Sequence, residues 1–123
     1  MGTNSIWAEH AVAITLILDA RPEARRELAR TIAAAYDQRT WVVVDTLLDL
    51  PPAVLISTDP EAAAVVFGYC EKRPAWGEFA QSWREHTAEL IAATPNPAAN
   101  KARGAAMDRH EIVAFTLAAL AEP

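Results

Sequence analysis

Three histidines, four tryptophans and one cysteine carry most of the chemical potential of this chain, and two of the histidines recur in one word. The word is Trp7-Ala8-Glu9-His10 near the start and Trp83-Arg84-Glu85-His86 in the second half. Both copies lie in segments with helical periodicity, where positions three apart share a face, so each indole stands beside its own imidazole. That pairing serves packing as readily as a site, and the residues around the two words do not continue to match, which argues against duplication.

Metal binding is the first chemistry to weigh. His10, His86 and His110 each have a glutamate as neighbour, in Glu9, Glu85 and Glu111. Three neutral imidazoles can hold a zinc ion with a fourth position open. Against this, no two histidines stand four apart and there is no HExxH. The Glu-x-x-His spacing of di-iron bundles is missing too, because Trp7 and Trp83 occupy the places where glutamate would be. A glutamate adjacent to its histidine points about 100° away around the helix, so it chelates the same ion poorly. The expectation is that His10 and His86 are half-buried and hydrogen-bonded, with no metal or other cofactor; a helical metal- or small-molecule-binding protein using His10, His86 and His110 is the alternative.

Nucleophilic catalysis has less to work with. Ser57 and Ser82 lie in no Gly-x-Ser-x-Gly elbow, and Cys70 falls among Val66, Phe67 and Tyr69, where an inert buried thiol is expected. A single cysteine also excludes an intramolecular disulfide and a CxxC pair, which fits a reducing cytoplasm. Gly2 and Gly104 are two of only four glycines, so a phosphate-binding loop or dinucleotide fingerprint is excluded.

The formal net charge of −5 is unevenly spread. Between Asp45 and Cys70 there is no basic residue, while Asp45, Asp49, Asp59 and Glu61 are acidic, a stretch that repels phosphate. Arg21, Arg25, Arg26 and Arg30 are concentrated, but Glu23 reaches Arg26 and Glu27 reaches Arg30 at helical spacing, which makes a solvated, salt-bridged face. A helix-turn-helix over this region would need Trp41 to Leu50 as its reading helix, and that segment offers no Arg, Lys, Asn or Gln to a base edge. No direct nucleic-acid binding is expected, and four spread carboxylates make a thin DNA mimic.

The elements that must position these residues read as all-α: a single compact bundle of five or six helices in one domain spanning 1–123. With 52% apolar residues, the 123-residue chain can bury a core without a staple. A first helix over 5–18 is apolar around most of its girth and should be central. Its greasy run is too short to span a bilayer and is followed by Asp19, Arg21 and Pro22, so no membrane association or signal peptide is expected. A second helix continues from Pro22 with Ala24, Leu28, Ile32, Ala35 and Tyr36 inward. The third, 41–50, is favoured as helix over strand, with Trp41, Val44, Leu47 and Leu48 together and Asp45 and Asp49 sent to water. Pro51-Pro52 should stop it, leaving 53–57 as an extended connector or one more turn.

Asp59-Pro60-Glu61 is the strongest helix start, with a capping carboxylate, a proline in the first turn and an acid at the positive end of the dipole. Beyond Pro74, the residues Trp76, Phe79, Ala80, Trp83, Thr87, Leu90 and Ile91 form one apolar stripe. A last helix is expected over 100–121, weakened in its first half by Gly104.

The functional expectation is a non-enzymatic, cytoplasmic protein–protein interaction module, such as an accessory subunit, inhibitor or immunity-type partner. Its patch would be centred on Trp76 and Trp83 with Asp45 and Asp49 as an acidic margin, because tryptophan anchors interfaces and a small bundle has limited room for four. A homodimer is compatible with such a patch, and so is a sensor with a tryptophan-lined pocket.

Overall fold

The computed structural model describes residues 23–75 and 77–121. These form seven α-helices: α1 (Glu23–Asp37), α2 (Trp41–Leu47), α3 (Pro51–Leu55), α4 (Pro60–Cys70), α5 (Glu78–Ala92), α6 (Pro97–Ala105) and α7 (Arg109–Ala121). The protein is all-α, as the periodicity requires. The expected helix over 5–18, with Trp7 and His10, lies outside the described residues, as does Trp76.

At the centre of the described residues stands α4. Every residue from Ala62 to Cys70 is buried, so this helix is enclosed on all sides. It starts as its sequence dictates: Asp59 Oδ1 accepts from the Ala62 backbone N–H at 3.1 Å and Pro60 occupies the first turn. Its closest neighbour is α6, and the approach depends on two glycines. A Cβ on Gly68 would lie 2.0 Å from the Lys101 carbonyl oxygen, and one on Gly104 would lie 1.7 Å from that of Val65. The two backbones touch where side chains would otherwise hold them apart. Gly104 is therefore a packing residue, not the weak point suggested by helix propensity.

Around α4, the expected inward residues of α1 are buried at Ala24, Leu28, Ile32 and Ala35. In α7, Ile112, Val113, Thr116, Ala119 and Leu120 are buried, with Phe115 and Leu117 partly so. Each large aliphatic side chain so enclosed contributes about 1.5–3 kcal/mol of hydrophobic stabilisation. Arg25 fastens α1 across the bundle, donating to Thr58 Oγ1 at 2.7 Å and to the Ala119 carbonyl at 3.0 Å. Arg30 pairs with Glu27 at 2.6 Å, one of the two expected helical ion pairs.

Two boundaries differ from the sequence reading, each for a local reason. The Pro51-Pro52 pair opens a short helix and does not itself close α2, which ends at Leu47, because prolines at the first positions of a helix have no N–H to lose. Of the two readings of 53–57, the extra turn is the one formed. The segment 100–121 is two helices. Asp108 Oδ1 accepts from the Glu111 N–H at 2.8 Å, and Glu111 Oε1 accepts from the Asp108 N–H at 3.0 Å. This reciprocal capping box starts α7 afresh, and its Asp-x-x-Glu signature is legible in the sequence.

A candidate binding cleft between α2 and α5

Asp45 of α2 and Asp49 in the turn that follows it meet the arginines of three other segments. Asp45 and Asp49, four apart on one helical face, were expected in water; instead their side chains are only 19% and 17% exposed. Arg109 at the start of α7 donates to Asp45 through Nε at 3.1 Å and Nη2 at 3.0 Å, a two-pronged pair. Arg73, just beyond α4, approaches Asp45 Oδ2 with Nε at 3.5 Å. Arg84 on α5 spans both Asp49 oxygens with one Nη2, at 2.9 and 3.1 Å, and gives Nη1 to the Arg73 carbonyl. The helix is as sequence spacing predicts; its polar face is covered because guanidinium groups distant in sequence fold over it.

Between these groups lies a partly open cleft of about 150 Å³. Asp45, Asp49, Tyr69, Cys70, Arg73 and Arg84 form its polar wall, with Val42, Pro74 and Ala80 as apolar margins. Burial pushes the Asp49 carboxyl above its ordinary value, and the opposing pull of Arg84 is the smaller effect. Burial also raises the Tyr69 phenol, whose hydroxyl stands 3.5 Å from Asp45 Oδ1. The Arg109 guanidinium is held more firmly protonated by its hydrogen bonds to Asp45.

Cys70 illustrates how the site's residues are tied down. It is 4% exposed, its Sγ–H donates to the Leu48 carbonyl at 3.1 Å, and burial holds the thiol well above its usual range. A protonated, enclosed thiol is a packing group, as its apolar sequence neighbours suggest.

The aromatic residues divide. Trp83 is half-buried and donates its indole N–H to the Asp49 carbonyl at 2.9 Å, so it braces α5 against the end of α2. Phe79 stacks on it with ring centres 5.9 Å apart and is 55% exposed. Val42, which lines the cleft, is 77% exposed. Sequence periodicity placed Phe79 on the inward stripe of α5, but only Thr87 and Ile91 of that helix are buried. The stripe exists, and much of it lacks a covering surface among the described residues.

The histidines are not gathered. His86 is exposed, contrary to the expected half-burial. His110 is exposed too, with Nδ1 sharing a short hydrogen bond with the Tyr36 hydroxyl and its ring edge-on to Tyr36 and Trp41. No group of three His, Cys, Asp or Glu side chains suited to a metal ion occurs among the described residues. Nor is any helix among them long and apolar enough to cross a membrane.

Sequence reasoning singled out Asp45, Asp49 and Trp83, of which the two aspartates line the cleft, and did not single out Arg73, Arg84 or Arg109. Their convergence is a tertiary fact; the local clue is that each could leave the solvent only by meeting a carboxylate, and 41–50 offers two. No protein family, no curated protein and no solved structure matches this chain.

Proposed function

We propose that this chain is a non-enzymatic partner-binding module acting in a reducing compartment such as the cytoplasm, and that its docking face is the surface around the α2–α5 cleft. One observation carries the reading: of the two exposed large hydrophobics among the described residues, Val42 lines the charged cleft and Phe79 directly precedes Ala80 of its wall on α5. Apolar anchors beside desolvated arginines are the combination that concentrates binding energy at interfaces. The margin expected to be acidic at Asp45 and Asp49 carries one positive charge in excess instead, since three arginines meet the two carboxylates. Trp83 supports Phe79 from beneath, and Trp76 lies outside the described residues.

A photo-cross-linking amino acid placed at position 42 or 79, in cells of the source organism, tests this. Position 102, exposed on α6, serves as control. Discrete adducts from 42 and 79 that are missing from 102 are expected, and an adduct of twice the chain mass would make the partner a second copy. No adduct from either position, or the same adducts from position 102, would contradict the assignment.

A further inference from the structure

The cleft holds more donor capacity than its carboxylates use. Three guanidinium groups, of Arg73, Arg84 and Arg109, face two carboxylates, Asp45 and Asp49, which leaves one positive charge in excess in a protein whose formal charge is −5. Two guanidinium nitrogens, Arg73 Nη1 and Arg84 Nε, are out of contact with water and have no hydrogen-bond partner among the described residues. A buried N–H left in that state is costly, and an acceptor in the cleft would relieve the cost once the Arg73 side chain turned its Nη1 outward. Arg73 is the side chain placed to make that turn. Its one ion pair, to Asp45, is 3.5 Å long, against roughly 2.8 Å for a strong charge-assisted bond, and its side chain is 38% exposed.

We propose that this cleft binds a single carboxylate group carrying a short apolar tail. The excess of one charge matches a monoanion, while Asp45 and Asp49 in the wall would repel a phosphate dianion. Guanidinium geometry suits a carboxylate, which accepts two parallel N–H bonds. The volume of about 150 Å³ is that of roughly five waters, enough for a small acid and too little for a nucleotide. Val42, Pro74 and Ala80 give the tail apolar surface within the same cleft. The site does not depend on the existence of a protein partner. Its ligand is either a free short-chain acid or a glutamate side chain presented by a protein.

The test is a titration of the full chain followed by the arginine Nε–Hε NMR signals at constant ionic strength. The probes are sodium butyrate, sodium acetate, 1-butanol, and the capped tripeptide acetyl-Ala-Glu-Ala-amide. Saturable shifts at Arg73 and Arg84 are expected with butyrate, about tenfold tighter than with acetate because two further methylenes are buried. Butanol, which lacks the charge, should leave these signals unmoved. Arg73→Gln should weaken butyrate about tenfold or more, the worth of a charged hydrogen bond. Val42→Ser, at a position 77% exposed and so tolerant of change, should bring butyrate down to the acetate level. Tighter binding of the tripeptide than of butyrate, still lost in Arg73→Gln, would identify a protein side chain as the source. Shifts that do not saturate with any carboxylate, or equal affinity in wild type and Arg73→Gln while circular dichroism shows both folded, would overturn the site. Either result leaves the cross-linking test of the docking face standing on its own.

Discussion

The seam between α4 and α6 and the cleft between α2 and α5 solve opposite problems within one small protein. In the seam, Gly68 and Gly104 let two backbones meet, and α4 is buried from Ala62 to Cys70. In the cleft, ion pairs rather than close backbone contact join the elements, two donors are unpaired, and α5 buries only Thr87 and Ile91. Close packing gives a surface-poor, rigid scaffold; loosely covered polar space gives something able to gain energy from a ligand. The contrast separates where the molecule is stabilised from where it can act.

The strongest way to break this comparison is Gly104→Ala. On an ordinary helix that change stabilises by nearly 1 kcal/mol, but here the new Cβ would stand 1.7 Å from the Val65 carbonyl oxygen. A loss of about 3 kcal/mol in urea unfolding is expected, because overpacking a backbone contact forces the helices apart. A gain in stability would mean that the seam is not close-packed.

Smaller in size and more particular in sign is the pH response of Asp49. Its folded carboxyl is raised above the ordinary 3.8, so between that value and the folded one the native protein binds more protons than the unfolded chain. Stability contributed by this group is therefore present at low pH and lost as pH rises through the window. The stability of the wild type minus that of Asp49→Asn should fall with rising pH across the acid range. A difference that grows with pH would show that pairing with Arg84 outweighs burial and that the cleft is better compensated than its geometry indicates.

Removing the cap of the central helix, in Asp59→Ala, should cost about 1 kcal/mol in the same unfolding measurement. Phe79→Ser should change stability by less than about 0.5 kcal/mol, since the ring is 55% exposed, yet should abolish cross-linking from position 42. A large stability loss there would move Phe79 from the docking face into the core.

What the sequence made legible follows the range of the interactions. The Asp59-Pro60 start, the inward stripe Leu28-Ile32-Ala35 and the face shared by Asp45 and Asp49 depend on neighbours within two turns, and period and capping chemistry reveal them. The roles of Gly104 and Arg109 do not depend on such neighbours. Propensity marks Gly104 as a weak helix residue, while its worth comes from Val65, far back in the chain. Arg109 reads as one more surface cation until α7 carries it to Asp45. Phe79 shows the converse, for a correct helical stripe says which side is apolar without saying what covers it.

Native-state hydrogen exchange resolved by segment tests the contrast between seam and cleft most directly. Amides of α4 and α6 should exchange only through global unfolding, with the full stability of the protein as their protection. Those of α5 should exchange through local opening at least about 2 kcal/mol lower. Equal protection of α4 and α5 would contradict the account, because it would make the cleft side as tightly built as the glycine seam.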